Sequence, residues 1–93
     1  MKYDWSQQKN ILNIKKHGID FSDAVEMFQY PMLTGIDHRK DYGEERWVGI
    51  GFLKGIIAVI VFVEDDDKDI IRIIPVRKAT QNESKIFKET IGY

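Results

Sequence analysis

Ninety-three residues make one small domain with no room for a second, and 43% apolar with 31% charged residues is a globular mix able to bury a single thin core. Cysteine is absent, which excludes a disulfide framework and thiolate zinc sites. The net charge of −1 sums separated patches, acid at 64–69 and base at 15–17, 38–40 and 77–78, and so permits a local basic site without the overall basicity of a typical nucleic-acid domain.

In chain order, Lys2 to Trp5 read as a short strand. Ser6 then caps a helix over 7–17 whose apolar stripe is assigned to Ile11, Leu12 and Ile14. Gly18 suits the left-handed conformation that ends such a helix, and Lys15, Lys16 and His17 fall in its last turn, opposite the negative end of the helix dipole. Ser22 is read as the cap of a second short helix with Ala24, Val25, Met27 and Phe28 turned inward, followed by Pro31. Strands are predicted over 32–39, 45–52, 56–63 and 70–77, with a hairpin turn at Lys54-Gly55 and an acidic turn at 64–69. The 56–63 run is apolar at both parities, as expected of a central strand covered on both faces. Thr80 and Glu83 match a capping box that opens a C-terminal helix burying Ile86 and Phe87. The order is therefore β-α-α-β-β-β-β-α. No run approaches the roughly 20 apolar residues of a membrane span, and the polar start MKYDWSQQK lacks a signal-peptide pattern. A soluble cytoplasmic protein is expected.

The chemistry-bearing residues are few. Arg72 and Arg77 stand in an otherwise apolar strand, where charge is costly unless paired or facing a cleft. Strict alternation puts them on opposite faces, yet Pro75 donates no ladder hydrogen bond and implies an edge or a bulge, and a bulge would bring both onto one face. Arg77 and Lys78 precede the helix that opens near Thr80, a natural place for a phosphate. A carboxylate partner for Arg72 and a snorkelling Arg77 explain the same arginines without a ligand. For Lys16 and His17 the helix cap is a complete explanation, and His38 reads as a polar strand residue. Two histidines without further ligands make no metal site. The 64–69 turn lacks the glycine and final glutamate of a calcium loop, and GIGFLKG leads into a hairpin rather than a helix, so it is not a nucleotide loop. Glu44, Glu45 and Arg46 fit either a site or a strand-edge ion pair.

Taken together, Tyr3-x-Trp5, Lys9, Asn13, KHG at 16–18, Phe21, Ala24 and Phe28, then YGEER at 42–46, then RIIPVRKAT at 72–80 and Glu83, resemble the BrnT family of bacterial ribonuclease toxins over nearly the whole chain. Two departures stand out: Ser6 where the family usually has Asp, and Pro75-Val76 where it usually has Ser-Ala. The resemblance implies an α+β, RelE-like fold over residues 1–93, an antiparallel, mostly meander sheet with two N-terminal helices and one C-terminal helix. It also implies an endoribonuclease toxin neutralised by a ribbon-helix-helix antitoxin of the BrnA type. The two form a hetero-oligomer that reaches operator DNA only through the antitoxin, with no membrane partner.

On that resemblance Lys16, His17, Arg72 and Arg77 are the expected catalytic set, with Arg46 and Lys78 as RNA and phosphate contacts and no metal or cofactor. The matching chemistry is attack of a 2′-OH on the adjacent phosphate, leaving a 2′,3′-cyclic end and a 5′-hydroxyl. His17 suits proton transfer, and Arg77 suits bidentate phosphate contact supported by Arg72, Lys16 and Arg46. Glu83 is open to a role as base or as cap alone, and Tyr42 and Trp47 to base stacking or packing. Pro75 raises the alternative of a catalytically inactive, antitoxin-binding module of the same fold. A direct DNA-binding protein is disfavoured because Lys85 and Lys88 of the last helix are offset by Glu83 and Glu89.

Overall fold

The computed structural model describes residues 1–39 and 41–92, so Lys40 of the basic 38–40 patch lies outside the described residues. The chain runs β1 (Lys2–Asp4), α1 (Gln7–His17), α2 (Phe21–Ala24) continued by a 3-10 turn (Val25–Gln29), β2 (Leu33–Ile36), β3 (Trp47–Leu53), β4 (Ile56–Asp65), β5 (Ile70–Lys78) and α3 (Gln81–Ile91). The five strands form one α+β sheet in the order β1-β5-β4-β3-β2. It is mixed, which corrects the antiparallel expectation: β2 to β5 run up and down, but β1 lies parallel beside β5. The meander leaves the far side of β5 open. β1 pairs only with Ile70–Arg72 there, so the rest of β5 needs another partner.

β4 is central, and Ala58, Val59, Ile60, Val61 and Phe62 are all buried, as a run apolar at both parities requires. Lys54 and Gly55, at φ 46° and 81°, form the tight turn into it, a conformation glycine adopts without steric cost. One face of the sheet carries the main core, where Phe21, Ala24 and Met27 pack on Ala58, Ile60, Phe62, Ile71, Ile73 and Val76. Gly49 and Gly51, which suggested a phosphate loop only superficially, sit in β3 on this face, where a Cβ would run into Met32. The opposite face is covered at one end by α3, through an edge-to-face contact of Phe52 and Phe87 with centroids 5.0 Å apart. Beyond α3 a cleft opens on that face, although Val59 and Val61 at its base are buried.

Several local expectations need correction. The buried residues of α1 are Asn10 and Asn13, while Ile11, Leu12 and Ile14 are 62%, 58% and 41% exposed. The asparagines face inward because they carry backbone groups that nothing else reaches. Asn10 accepts from the Phe21 N–H at 2.9 Å and donates to Asp20. Asn13 donates to the Ile19 carbonyl at 2.9 Å and accepts from the Val76 N–H at 3.1 Å. The cap of α2 is Asp20 rather than Ser22, since its carboxylate takes the Ser22 N–H and hydroxyl. Those bonds, with the one from Asn10, hold its pKa below the ordinary carboxylate value. β2 ends at Ile36 rather than running to 39, because Asp37 turns the chain by accepting the Arg39 N–H at 3.1 Å. The capping box of Thr80 and Glu83 is present, with Phe87 fully buried but Ile86 exposed, because the two side chains point to different sides of α3.

Candidate functional site

The site begins with a defect in a strand. Phe62 pairs with Ile73 and Ile60 with Val76, so three steps along β5 meet two along β4, and the extra residue falls at Ile74-Pro75. This is the bulge that Pro75 implied. It returns Val76 to the core side with Ile71 and Ile73, and leaves Arg72 and Arg77 together on the other face. The Val76 N–H, on the edge of β5 beyond the reach of β1, is accepted by the buried Asn13 side chain of α1. Asn13 therefore ties the last turns of α1 to β5 just where β1 no longer reaches.

That tie places the end of α1. Gly18 adopts φ 70° and donates its N–H to the Ile14 carbonyl, which closes the helix and sets His17 at the rim of a cleft. The cleft, of about 560 Å³, opens on the sheet face that α3 leaves bare. Val48, Val59 and Val61 form an apolar floor, with Pro75 at the side. Around this floor stand six polar residues that need not have been together: His17 from α1, Asp37, His38 and Arg39 from the loop after β2, Arg77 from β5 and Glu83 from α3.

Arg77 meets Glu83 in a two-pronged pair, Nη1 donating to Oε1 at 2.7 Å and Nη2 to Oε2 at 2.9 Å. Glu83 Oε1 also accepts the Thr80 N–H at 2.9 Å, so the α3 capping box and the arginine share one carboxylate. The guanidinium bonds, aided by the Thr80 N–H against partial burial, hold the Glu83 carboxyl at about 2, and the same pair raises Arg77. Glu83 is therefore ionised at neutral pH. On the other side, Asp37 is almost wholly buried, its side chain 1% exposed, and takes Arg39 Nε and Nη2 at 2.9 Å each. The Tyr42 hydroxyl adds a weaker bond at 3.3 Å. Held mainly by Arg39, the Asp37 carboxyl stays far below the usual carboxylate range.

The remaining expected residues lie elsewhere. Lys16 borders a neighbouring groove with Lys9, Leu12, Ile74 and Pro75, and His17 stands on the ridge between that groove and the cleft. Arg72 is outside the cleft. It pairs across the sheet with Val63, four residues from the Val59 partner of Arg77, or about 13 Å along β4. Arg72 sits in a polar recess with Asp4, Asp65 and Lys68, and its Nη2 donates to both oxygens of Glu44 at 2.7 Å. Arg46 stacks over the Tyr42 ring at 3.9 Å, with Nε 3.5 Å from Glu44. Its carbonyl accepts the Asp37 N–H at 2.7 Å, so its visible work is to brace the loop that carries Arg39. Lys78 lies by the start of α3 in a shallow groove with Lys85 and Lys88. His38, read from the sequence as an ordinary strand residue, is instead a cleft residue. The signal that reveals it is Asp37, an aspartate that stops the strand by capping the backbone two residues on.

Two imidazoles and a guanidinium lining one cleft over an apolar floor suit proton transfer at an anionic phosphate. Residues 5–83 match the family described as ribonuclease toxin, BrnT, of type II toxin-antitoxin system. No curated protein matches the chain at a significant level. The matched span contains every cleft residue from His17 to Glu83.

Proposed function

Because the chain belongs to the BrnT family of ribonuclease toxins of type II toxin-antitoxin systems, we propose that the cleft beside the end of α1 is where it cleaves RNA, by internal transesterification and without a metal ion. The observation that carries this reading is the shared cleft of His17, His38 and Arg77 on one valine floor.

In this reading one imidazole takes the proton of a 2′-OH as its oxygen forms a bond to the adjacent phosphorus. The P–O5′ bond breaks, and the leaving oxygen takes a proton from the second imidazole. The products are a 2′,3′-cyclic phosphate and a 5′-hydroxyl, and no net proton is gained or lost. Imidazole suits both steps because it exchanges protons near neutral pH. Arg77 supplies N–H donors to the nonbridging oxygens, whose charge grows in the transition state. Glu83 keeps Arg77 extended toward the cleft rather than acting as base, since a carboxylate so acidic is a weak proton acceptor. Lys16, with Lys9, carries the strand toward His17, and Lys78 continues the path on the far side. Arg72, set apart with Glu44, contributes to the backbone path at most.

A type II toxin has an antitoxin partner. We take it to be of the BrnA type, carrying the ribbon-helix-helix part through which the complex reaches operator DNA. We also take the sheet with its flanking helices to be a RelE-like arrangement to which β1 adds a parallel strand. The test of function is end-group analysis of RNA incubated with the purified chain in EDTA, with and without translating ribosomes. Cyclic-phosphate ends in either condition, lost in Arg77→Ala, support the reading. Cleavage that needs added metal overturns the proposed chemistry. No cleavage in either condition favours an antitoxin-binding module that has lost activity, a reading for which Pro75, bare of a hydroxyl at the cleft wall, is the specific ground.

A further inference from the structure

On the ribonuclease reading just given, we propose that Arg39 and Arg77 form a two-guanidinium clamp on one phosphate of the RNA, with Asp37 as the positioning residue that holds Arg39 at the cleft. Arg39 lies outside the expected site, and its role follows from how the two arginines are held.

Each guanidinium is fastened chiefly by one edge. Arg77 gives Nη1 and Nη2 to Glu83, and its second Nη1 hydrogen goes to the Lys78 carbonyl at 3.3 Å. Its Nε–H and one Nη2–H are left without a partner among the described residues. Arg39 is held by the other edge, Nε and Nη2 on Asp37, with a further side-chain hydrogen bond to Tyr42, which still leaves part of its five-donor fork for a ligand. Guanidinium has five donors in a rigid plane, so fastening one edge orients the remainder. Both groups line the same cleft, and the positive charge of Arg39 slightly opposes the raised pKa that Glu83 gives Arg77, which places the two within electrostatic reach of each other.

Like charges lining one cleft are tolerated because each has its own carboxylate, and an anion held by both relieves what repulsion remains. A phosphodiester presents two nonbridging oxygens, one for each free edge. The asymmetry of support is informative too. The Arg39 side chain is 71% exposed, yet its partner Asp37 is buried and further bonded to Tyr42. A buried carboxylate anchoring an exposed arginine is a costly way to stabilise a loop. It is an effective way to keep one guanidinium aimed without filling the site.

The experiment measures binding of a short 2′-O-methyl RNA of mixed sequence, which cannot undergo the transesterification, by fluorescence anisotropy over a range of salt. Wild type is compared with Arg39→Ala, Arg77→Ala, Asp37→Asn and the Asp37→Asn/Arg39→Ala double variant, each checked for native circular dichroism. The clamp predicts that Arg39→Ala and Arg77→Ala each weaken binding about tenfold or more and each reduce the salt slope by about 0.7. Asp37→Asn weakens binding in the wild-type background and adds nothing to Arg39→Ala, which a merely structural role for Asp37 would not produce. Affinity and slope untouched by Arg39→Ala overturn the clamp, while loss of cleavage of the unmodified RNA in Arg77→Ala leaves the ribonuclease reading standing. A wild-type chain that neither binds the methylated RNA nor cleaves the unmodified one overturns both.

Discussion

Arg72 and Arg77 stand on the same strand and, after the bulge, on the same face, and each is paired with a glutamate; almost everything else about them differs. Arg72 uses one nitrogen on both oxygens of Glu44, in a recess already rich in acid, and no imidazole lines that recess. Arg77 uses two nitrogens in parallel on Glu83, above an apolar floor, with His17, His38 and Arg39 around the same space. The difference teaches that pairing does not remove an arginine from function. What matters is which edge the partner takes, and what shares the space around the other edge. The ends of other elements supply that space: the cap of α1, the Asp37 turn and the first turn of α3 all converge on Arg77.

The largest expected break in the comparison is in catalysis. Arg77→Ala is predicted to slow RNA cleavage by on the order of 10² to 10³, as loss of one donor to a developing oxyanion does, measured in single-turnover assays. Next, His17→Ala and His38→Ala are each predicted to cost roughly 10² or more in single-turnover cleavage. Full activity in His17→Ala would return the end of α1 to a plain helix cap.

Stability effects come lower. Asn13→Ala leaves the buried Val76 N–H without its acceptor and is predicted to cost about 1–3 kcal/mol in urea unfolding. It should depress cleavage as well, because it unties α1 from the bulge. The Glu83 pair sharpens the contrast through acid. The folded pKa of about 2 is depressed from 4.5, so its stabilisation is complete above pH 4.5, falls away as pH drops below that, and is gone below about 2. Allowing for solvent screening, it contributes about 1–2 kcal/mol, and Glu83→Gln should flatten unfolding stability across that window. The smallest effect is reserved for the other arginine. Arg72→Ala is expected to change stability by less than about 1 kcal/mol, as for a half-exposed ion pair.

The sequence made the frame legible wherever a local rule had no competitor. The capping box at Thr80, the turn at Lys54-Gly55 and the central strand buried over 58–62 each follow from a local pattern with one good solution, and Pro75, which allowed an edge or a bulge, makes a bulge. Reading failed where tertiary demand reversed a preference. In α1 the apolar residues were expected inside, but the unpaired N–H groups of Phe21 and Val76 outweighed them and drew Asn10 and Asn13 inward. The direction of β1 was illegible for a related reason, since three residues carry no signal of parallel or antiparallel pairing. In the candidate site, His17 and Arg77 were visible as a helix end and a charged strand. The 37–39 turn was hidden inside an overlong strand, because Asp37 was read as one more strand residue rather than as the side chain that takes the backbone away. With it went His38, Arg39 and the second wall of the cleft.

The most direct measurement is single-turnover cleavage of one RNA by Arg77→Ala and Arg72→Ala, side by side at physiological salt. Arg72 lies farther from the Arg77 cleft than the roughly 8 Å over which charge is felt at that salt, so its loss is predicted to slow cleavage less than about tenfold, while loss of Arg77 slows it about a hundredfold or more. Equal losses, or a greater loss from Arg72→Ala, would contradict the placement of the reaction in the cleft of His17, His38 and Arg77.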